Sequence, residues 1–295
     1  MQEAINKATT LVEALAYIRR FDGRIIVVKV GGSIMDEPGT LHDLLVDVCF
    51  MHAVGMRPII VHGGGKSITE AMRHAGLEAH FVHGRRYTDE RTLAIAEHVL
   101  INEINRDIVQ QVRQIGPRAM GLHSLSSCAV FAKRLFLEVQ EEGAATRRVD
   151  MGFVGEVDWV NAELFTALTD ARTIPVVAPI ARDASGGKLN VNADSVAGHI
   201  AAAVHAEKLV LVSDTHGIRT SEEAKDFAPH LTQARIVELI DQGVISAGML
   251  PKVEAALVAL QAGVAKVHVI DGRVQHSLML EVYTDKGIGT EIVRG

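Results

Sequence analysis

Cysteine is scarce in this chain of 295 residues: there are two, Cys49 and Cys128, far apart and in no C-x-x-C pattern. That excludes a disulfide-stapled scaffold and fits a reducing, cytoplasmic compartment. There is no long basic run, and the formal net charge is −6, so no nucleic-acid surface is expected. No uninterrupted apolar stretch reaches membrane-spanning length, so no membrane contact is expected either. The first residues, Glu3 among them, lack the apolar segment of a signal peptide. Two common nucleotide signatures are missing. No G-x-G-x-x-G occurs. Gly65-Lys66-Ser67 has the tail of a P-loop, but Ile60 stands where its first glycine is required. The fourteen histidines form no H-x-x-x-H or H-E-x-x-H pattern with supporting ligands, so no metal site built by the chain is expected.

What is present reads as an ordered α/β protein. Hydrophobic residues make up 48% and charged residues 22% of the chain, ordinary globular usage. Residues 5–21 carry Leu11, Leu15, Ile18 and Phe21 at helical spacing. Residues 24–30 and 57–62 are short β-branched runs, each stopped by glycines, as buried strands of a parallel sheet are. Helices are predicted near 40–54 and over 89–115, and another is opened by Ser67-Ile68-Thr69-Glu70, which has capping-box spacing. Residues 117–160 read as a β-rich insertion with strands at 129–132, 135–139 and 155–160 separated by polar turns. The alternation resumes with strands at 173–178, 208–213 and 264–270 and helices at 194–206 and 251–262, and 287–293 closes the chain. Such alternation predicts a three-layer αβα sandwich around a mainly parallel open sheet, with ligands at the carboxyl ends of its strands. A soft boundary falls near residue 180.

Five groups carry chemistry. Gly31-Gly32 and Gly63-Gly64-Gly65 end two consecutive strands, and glycines there bring bare N–H groups close to phosphate oxygens. Lys29 sits inside an apolar strand, where a lysine is rare unless paired or working. Lys252 follows Pro251 in the first turn of a helix, where the helix dipole disfavours a cation unless an anion joins it. Asn190 and Asn192 alternate before Asp194, which enters a helix start that an Asx cap would explain. Gly84-Arg85-Arg86-Tyr87-Thr88-Asp89 puts two arginines in a loop, as a carboxylate grip or as solvated charge.

With these motifs, K-V-G-G-S (29–33), V-H-G-G-G-K (61–66), G-R-R-Y-T-D (84–89), N-V-N-A-D (190–194) and G-M-L-P-K-V (248–253), the chain resembles the amino-acid kinase family. Within it, the chain resembles the branch that phosphorylates N-acetyl-L-glutamate in arginine biosynthesis. The resemblance runs from about Leu11 to Thr290. It implies ATP, with Mg²⁺ carried on the nucleotide, as phosphoryl donor. It implies that Lys29 and Lys252 stabilise the phosphoryl group in transit, that Asp194 orients them, and that Gly32 and Gly64 donate N–H groups to phosphate oxygens. Arg86 and Asn190 would hold the substrate α-carboxylate, with Gly64 and Gly65 lining that pocket. Ser213, Asp214 and the stretch before Lys252 would surround the nucleotide.

The N-terminal segment 11–18 resembles the helix of arginine-inhibited hexameric members, trimers of dimers. This implies an inhibitory arginine site at Tyr17, His268, Glu281 and Gly287. The corresponding division is an oligomerisation helix 1–22, an amino-acid lobe 23–180 and a nucleotide lobe 181–295. Two segments depart from the family pattern. Gly121-Leu-His-Ser-Leu-Ser-Ser-Cys128 replaces a Gly-Leu-Ser-Gly-Lys-Asp-Gly-like hairpin, and Ser213-Asp-Thr-His-Gly217 replaces Thr-Asp-Val-Pro-Gly. Two alternatives stand beside this reading: a sister kinase acting on another acceptor (aminoadipate, aspartate, carbamate or UMP), and a non-catalytic arginine-sensing homologue.

Overall fold

The structure is a computed structural model. It describes residues 1–35, 37–82, 84–124, 127–139, 147–221, 223–224, 226–283 and 287–295. In chain order, the strands are β1 Ile25–Val30, β2 Arg57–His62, β3 Phe81–Val82, β4 Arg85–Arg86, β5 Arg118–Leu122, β6 Val130–Val139, β7 Arg147–Val160, β8 Thr173–Val177, β9 Ile180–Arg182, β10 Lys188–Val191, β11 Lys208–Ser213, β12 His230–Thr232, β13 Lys266–Asp271 and β14 Thr290–Val293. The helices are α1 Gln2–Phe21, α2 Gly32–Met35, α3 Pro38–Ala53, α4 Gly65–His74, α5 Glu90–Glu97, α6 Arg106–Ile115, α7 Ala162–Asp170, α8 Ala193–Ala203, α9 Gln233–Asp241, α10 Leu250–Gln261 and α11 Ser277–Val282. A π-helical stretch, His98–Asn105, joins α5 to α6.

Eight strands form the central sheet in the order β12-β14-β13-β11-β1-β2-β8-β5. All neighbours are parallel except β13 and β14. β1 lies in the middle, paired with β2 on one side and β11 on the other. Alternate side chains point to opposite faces of a strand. Val27, Leu209 and Leu211 therefore enter the core shared with α8, α9 and α10. Ile26, Val28, Val30, Val210 and Val212 enter the core under α3 and α11. Full burial of each such side chain contributes roughly 1.5–3 kcal/mol. By the same alternation Lys29 shares the face of Val27, towards α8.

β6, β7, β9 and β10 close into a small four-stranded barrel beside the sheet. Here the sequence reading needs correction. The two strands expected at 129–132 and 135–139 are one strand, β6, bulged between Phe131 and Ala132 and between Arg134 and Phe136. Lys133 and Arg134, read as a polar turn, are the exposed side chains of a strand whose other face is buried. β7 likewise begins well before residue 155, and residues 140–146 of this insertion lie outside the described set.

The expected capping box fails too. α4 starts at Gly65 with Gly64 as its cap, which puts Ser67 inside the helix. Glu70 instead bonds Arg73 and His74. α1 is longer than expected and begins at Gln2. Its Phe21 is buried, whereas Val12 is 71% and Leu15 43% exposed; the side chain of Leu11 lies outside the described set. Among the described residues no helix is long and apolar enough to cross a membrane.

Candidate active site

The carboxyl ends of β1, β2 and β10 and the starts of α4 and α8 meet around a cavity of about 240 Å³. Lys29, Gly32, Gly63, Gly64, Gly65, Arg86, Asn190 and Asp194 all face it. β1 delivers Lys29 one residue before the sheet ends. Its Nζ lies 2.8 Å from Asp194 Oδ1, and both side chains are nearly out of contact with solvent. Asp194 can be spared for this because Asn192 is the cap of α8: its Oδ1 accepts from the N–H groups of Asp194 and Ser195. The Asx-rich start is thus an Asx cap made by Asn192, with Asp194 in the first turn of the helix.

Lys252 comes from the start of α10, with Nζ 3.9 Å from Asp194 Oδ2 and 3.3 Å from the Gly248 carbonyl. α8 and α10 cross closely at Gly198, where a Cβ would stand 2.7 Å from the Ala255 carbonyl oxygen. That close approach packs the two helices that carry Asp194 and Lys252 directly on each other. Burial alone would raise the Asp194 carboxyl, but the charges of Lys29 and Lys252 hold it below the usual carboxylate value. Burial pulls the Lys252 ammonium below its ordinary range, Asp194 opposes that pull, and Lys29 adds to it. One carboxylate facing two ammonium groups leaves the cluster one charge positive. An anion brought there would complete it.

The glycine turns supply neutral donors beside this charge. Gly32 and the Gly63–Gly65 turn are in contact: a Cβ on Gly32 would stand 3.7 Å from the amide nitrogen of Gly65 and 3.9 Å from that of Gly64, ordinary packing distances. Gly65 opens α4, so its N–H has no partner within the helix. Gly64 is packed from behind: a Cβ there would lie 2.6 Å from Leu100 and 2.8 Å from Ile104.

Of the two adjacent arginines, the structure separates the roles. Arg85 reaches Glu254 at 3.6 Å. Arg86, half-buried, donates to the Gly65 carbonyl at 2.8 Å and to Thr69 Oγ1 at 2.7 Å, and its guanidinium stands 4.8 Å from the centre of the Phe81 ring. Among the described residues no carboxylate is paired with Arg86, and burial lowers its pKa from the usual arginine value. Asn190 lines the same cavity.

Ser213 and Asp214 are not in this wall. Ser213 is buried at the end of β11, and the Asp214 carbonyl accepts from Arg273 at 2.8 Å. The residues that follow, Thr215 and Gly217, line a second cavity of about 380 Å³ with Phe227, Ser246 and Met249, three residues before Lys252. Met249 lies in the G-M-L-P-K-V motif, in the stretch before Lys252 that the sequence reading assigned to the nucleotide, whereas Phe227 and Ser246 belong to no motif. None of the described residues of the other departing segment lines either cavity. His123 lines a cavity against α6, Ser124 is buried, and residues 125–126 lie outside the described set.

A third cavity, of about 290 Å³, brings together Tyr17 and Arg20 of α1 with Lys208, His268, Glu281 and Gly287. Glu281 is buried. His268 Nδ1 lies 2.5 Å from one of its oxygens, and the Ile288 N–H donates to the other at 2.7 Å. His268 Nε2 is buried with no partner among the described residues. Residues 284–286 of the expected arginine segment lie outside the described set.

The sequence profile of the amino acid kinase family matches residues 24–271, and the chain belongs to that family. The acetylglutamate kinase of Geobacter sp. (strain M21) is 42% identical over 292 residues, 99% of each chain. That of Symbiobacterium thermophilum is 43% identical over 294 residues, again 99% of each. The chain is thus an enzyme, a kinase. Among solved structures, N-acetylglutamate synthase from Neisseria gonorrhoeae, complexed with coenzyme A and N-acetyl-glutamate, gives a TM-score of 0.84 at 23% identity, over 98% of this chain and 63% of that one. Carbamate kinase from Giardia lamblia bound to AMP-PNP gives 0.65 at 13%, over 92% and 99%. At those identities the shared fold is what they show, and it is the three-layer arrangement around a mainly parallel sheet.

Proposed function

We propose that this chain is a cytoplasmic enzyme that transfers the γ-phosphoryl group of ATP to the side-chain carboxylate of N-acetyl-L-glutamate, a step of arginine biosynthesis. The observation that carries this is the Lys29–Asp194–Lys252 cluster, one charge positive, opening on a glycine-lined cavity that also holds Arg86 and Asn190. A carboxylate is already ionised at neutral pH, so the nucleophile needs no base. One of its oxygens attacks the γ-phosphorus while the bond to the ADP oxygen breaks in line, giving an acyl phosphate and ADP. Charge spreads over the phosphoryl oxygens on the way, and Lys29, Lys252 and the amides of Gly32 and Gly64 face it. Arg86 and Asn190 fix the α-carboxylate, and Gly65 lines that pocket. The second cavity, next to Ser213, Asp214 and the start of α10, takes the base and ribose. Mg²⁺ carried by the nucleotide would neutralise phosphate charge. On this reading residues 23–180 serve mainly the amino acid and 181–295 mainly the nucleotide, with Asn190 of the second lobe reaching the amino-acid pocket. A coupled ADP-release assay with N-acetylglutamate, glutamate, aspartate, carbamate and UMP tests it. Turnover is expected with N-acetylglutamate, and turnover only with another acceptor overturns the reading.

The third cavity supports a second part of the proposal: L-arginine binds there and inhibits. A buried carboxylate at Glu281, the cation Lys208 and a His268 Nε2 without a partner among the described residues suit a ligand carrying a guanidinium at one end and a carboxylate at the other. Because α1 forms part of the wall, ligand and assembly are coupled. The exposed Val12 and Leu15 of α1 suit contact with α1 of another copy, in a hexamer built as a trimer of dimers. Glu281→Gln is expected to raise the arginine concentration for half-inhibition about tenfold to a hundredfold, the worth of one charge-assisted hydrogen bond, and to leave uninhibited kcat unchanged. Inhibition curves of the two proteins decide it.

A further inference from the structure

The peptide between Gly63 and Gly64 is flanked by glycine on both sides, so it can flip between two orientations at little steric cost. Across a trans peptide the C=O and N–H point in opposite directions. Whatever holds the Gly63 carbonyl therefore decides where the Gly64 N–H points. That holder is His62, the last residue of β2 and fully buried.

His62 Nδ1 lies 2.9 Å from the Gly63 carbonyl oxygen. A carbonyl only accepts, so Nδ1 carries the proton. On the other side of the ring Nε2 lies 3.1 Å from Asn105 Nδ2, and the same Nδ2 donates to the Val176 carbonyl at 2.9 Å. The second contact fixes the orientation of the amide, because only its NH₂ end can donate to a carbonyl. Nε2 is then the acceptor, and the ring is held as one neutral tautomer. A second proton would set Nε2–H against the Asn105 N–H, and burial pushes the His62 pKa down to about 4.

Asn105 reaches this place because it ends the π-helical stretch. Leu100 and Ile104, which pack on Gly64, belong to the same stretch. Residues five apart diverge around an α-helix, whereas the i→i+5 repeat of a π-helix stacks Leu100 and Asn105 on one side.

We propose that His62, held in its Nδ1–H tautomer by Asn105, is a positioning residue that locks the Gly63–Gly64 peptide with the Gly64 N–H turned to the transferring phosphoryl group. This rests on the reading of the glycine turn as a phosphoryl site. His62→Phe keeps the bulk of the ring and removes both nitrogens. It is expected to lower kcat about tenfold to a hundredfold, as loss of an aimed N–H donor does, with both KM values within about threefold. Affinity for the transition-state mimic of ADP, aluminium fluoride and N-acetylglutamate should fall by the same factor, and affinity for ADP alone should not. Asn105→Ala leaves the ring in place but frees its tautomer. It should lower kcat and mimic affinity together, and the imidazole ¹⁵N shifts should leave the Nδ1–H pattern seen in the wild type. If His62→Phe does not fold, Asn105→Ala decides the question alone. Wild-type kcat in either folded variant overturns the proposal, and so does a lost kcat with mimic affinity intact, which is what a merely structural role would give. A wild-type protein that never turns over N-acetylglutamate overturns the proposed function instead.

Discussion

Lys29→Ala is expected to lower kcat about a thousandfold and to change the KM for N-acetylglutamate only a few-fold. The reasoning begins in the strand. Lys29 extends from the middle of the sheet, on the face covered by α8, and its ammonium is buried against Asp194. Such a group has little room to relax when substrate arrives, so on the proposed reading its stabilisation is delivered where charge develops, on the phosphoryl group between carboxylate and ADP. A fixed donor or cation at such a place is worth on the order of a hundredfold to several thousandfold in kcat. An interaction made mainly in the transition state appears in kcat, and one made equally in the ground state appears in KM. Steady-state kinetics of ADP release on the folded variant separates the two. A KM effect with kcat preserved would make Lys29 a ground-state ligand of the substrate and overturn its assignment.

The second large effect belongs to Asp194→Asn, and it is one of stability as well as rate. The amide removes the single negative charge between two ammonium groups and leaves the buried Lys29 without its counter-ion. Removing one partner of a buried pair costs about 3–5 kcal/mol. At an unfolding entropy of about 2.1 cal/mol/K per residue, that lowers Tm by roughly 5–8 °C in a chain of this size.

The pH dependence has a definite sign. The folded carboxyl of Asp194 is held below its ordinary value. Around and below that value the unfolded chain binds more protons than the folded one, so stability rises with pH there. The contribution is complete above the unfolded carboxyl value of about 4 and is lost as pH falls through the lower folded value. The Tm difference between wild type and Asp194→Asn should therefore be constant from about pH 6 down to about pH 5 and shrink on further acidification. Thermal melts across that range check it, and a difference that grows on acidification would overturn the assignment.

Local rules made much of this site legible. A β-branched run broken by Lys29 and ended by two glycines marked β1. Lys252 next to Pro251 broke a helix-dipole preference for which the structure shows a reason, the carboxylate of Asp194. Where rules were local but competing, the reading failed. Ser67 to Glu70 has the spacing of a capping box, yet Gly64 caps the helix three residues earlier than that box would. Lys133 and Arg134 resemble a turn only when the buried face of the barrel strand is unknown. What depends on distant partners was not readable at all. Nothing near His62 announces Asn105, and nothing near Thr215 announces Phe227. β9, β10, α7, α9 and α11 are short and draw their stability from packing rather than from any strong periodicity of their own.

The placement of β1 in the middle of the sheet also governs how the chain must be made. β1 pairs with β2, which follows it closely, and with β11, which begins only at Lys208. On the ribosome the first of these ladders can zip early, whereas the second waits for most of the protein to emerge. Until then one flank of an almost wholly apolar strand presents unpaired N–H and C=O groups, the condition under which nascent chains pair with the wrong neighbour. The strand that carries Lys29 is thus completed late in synthesis, and refolding is expected to be slow and sensitive to protein concentration, as closure of such distant contacts is.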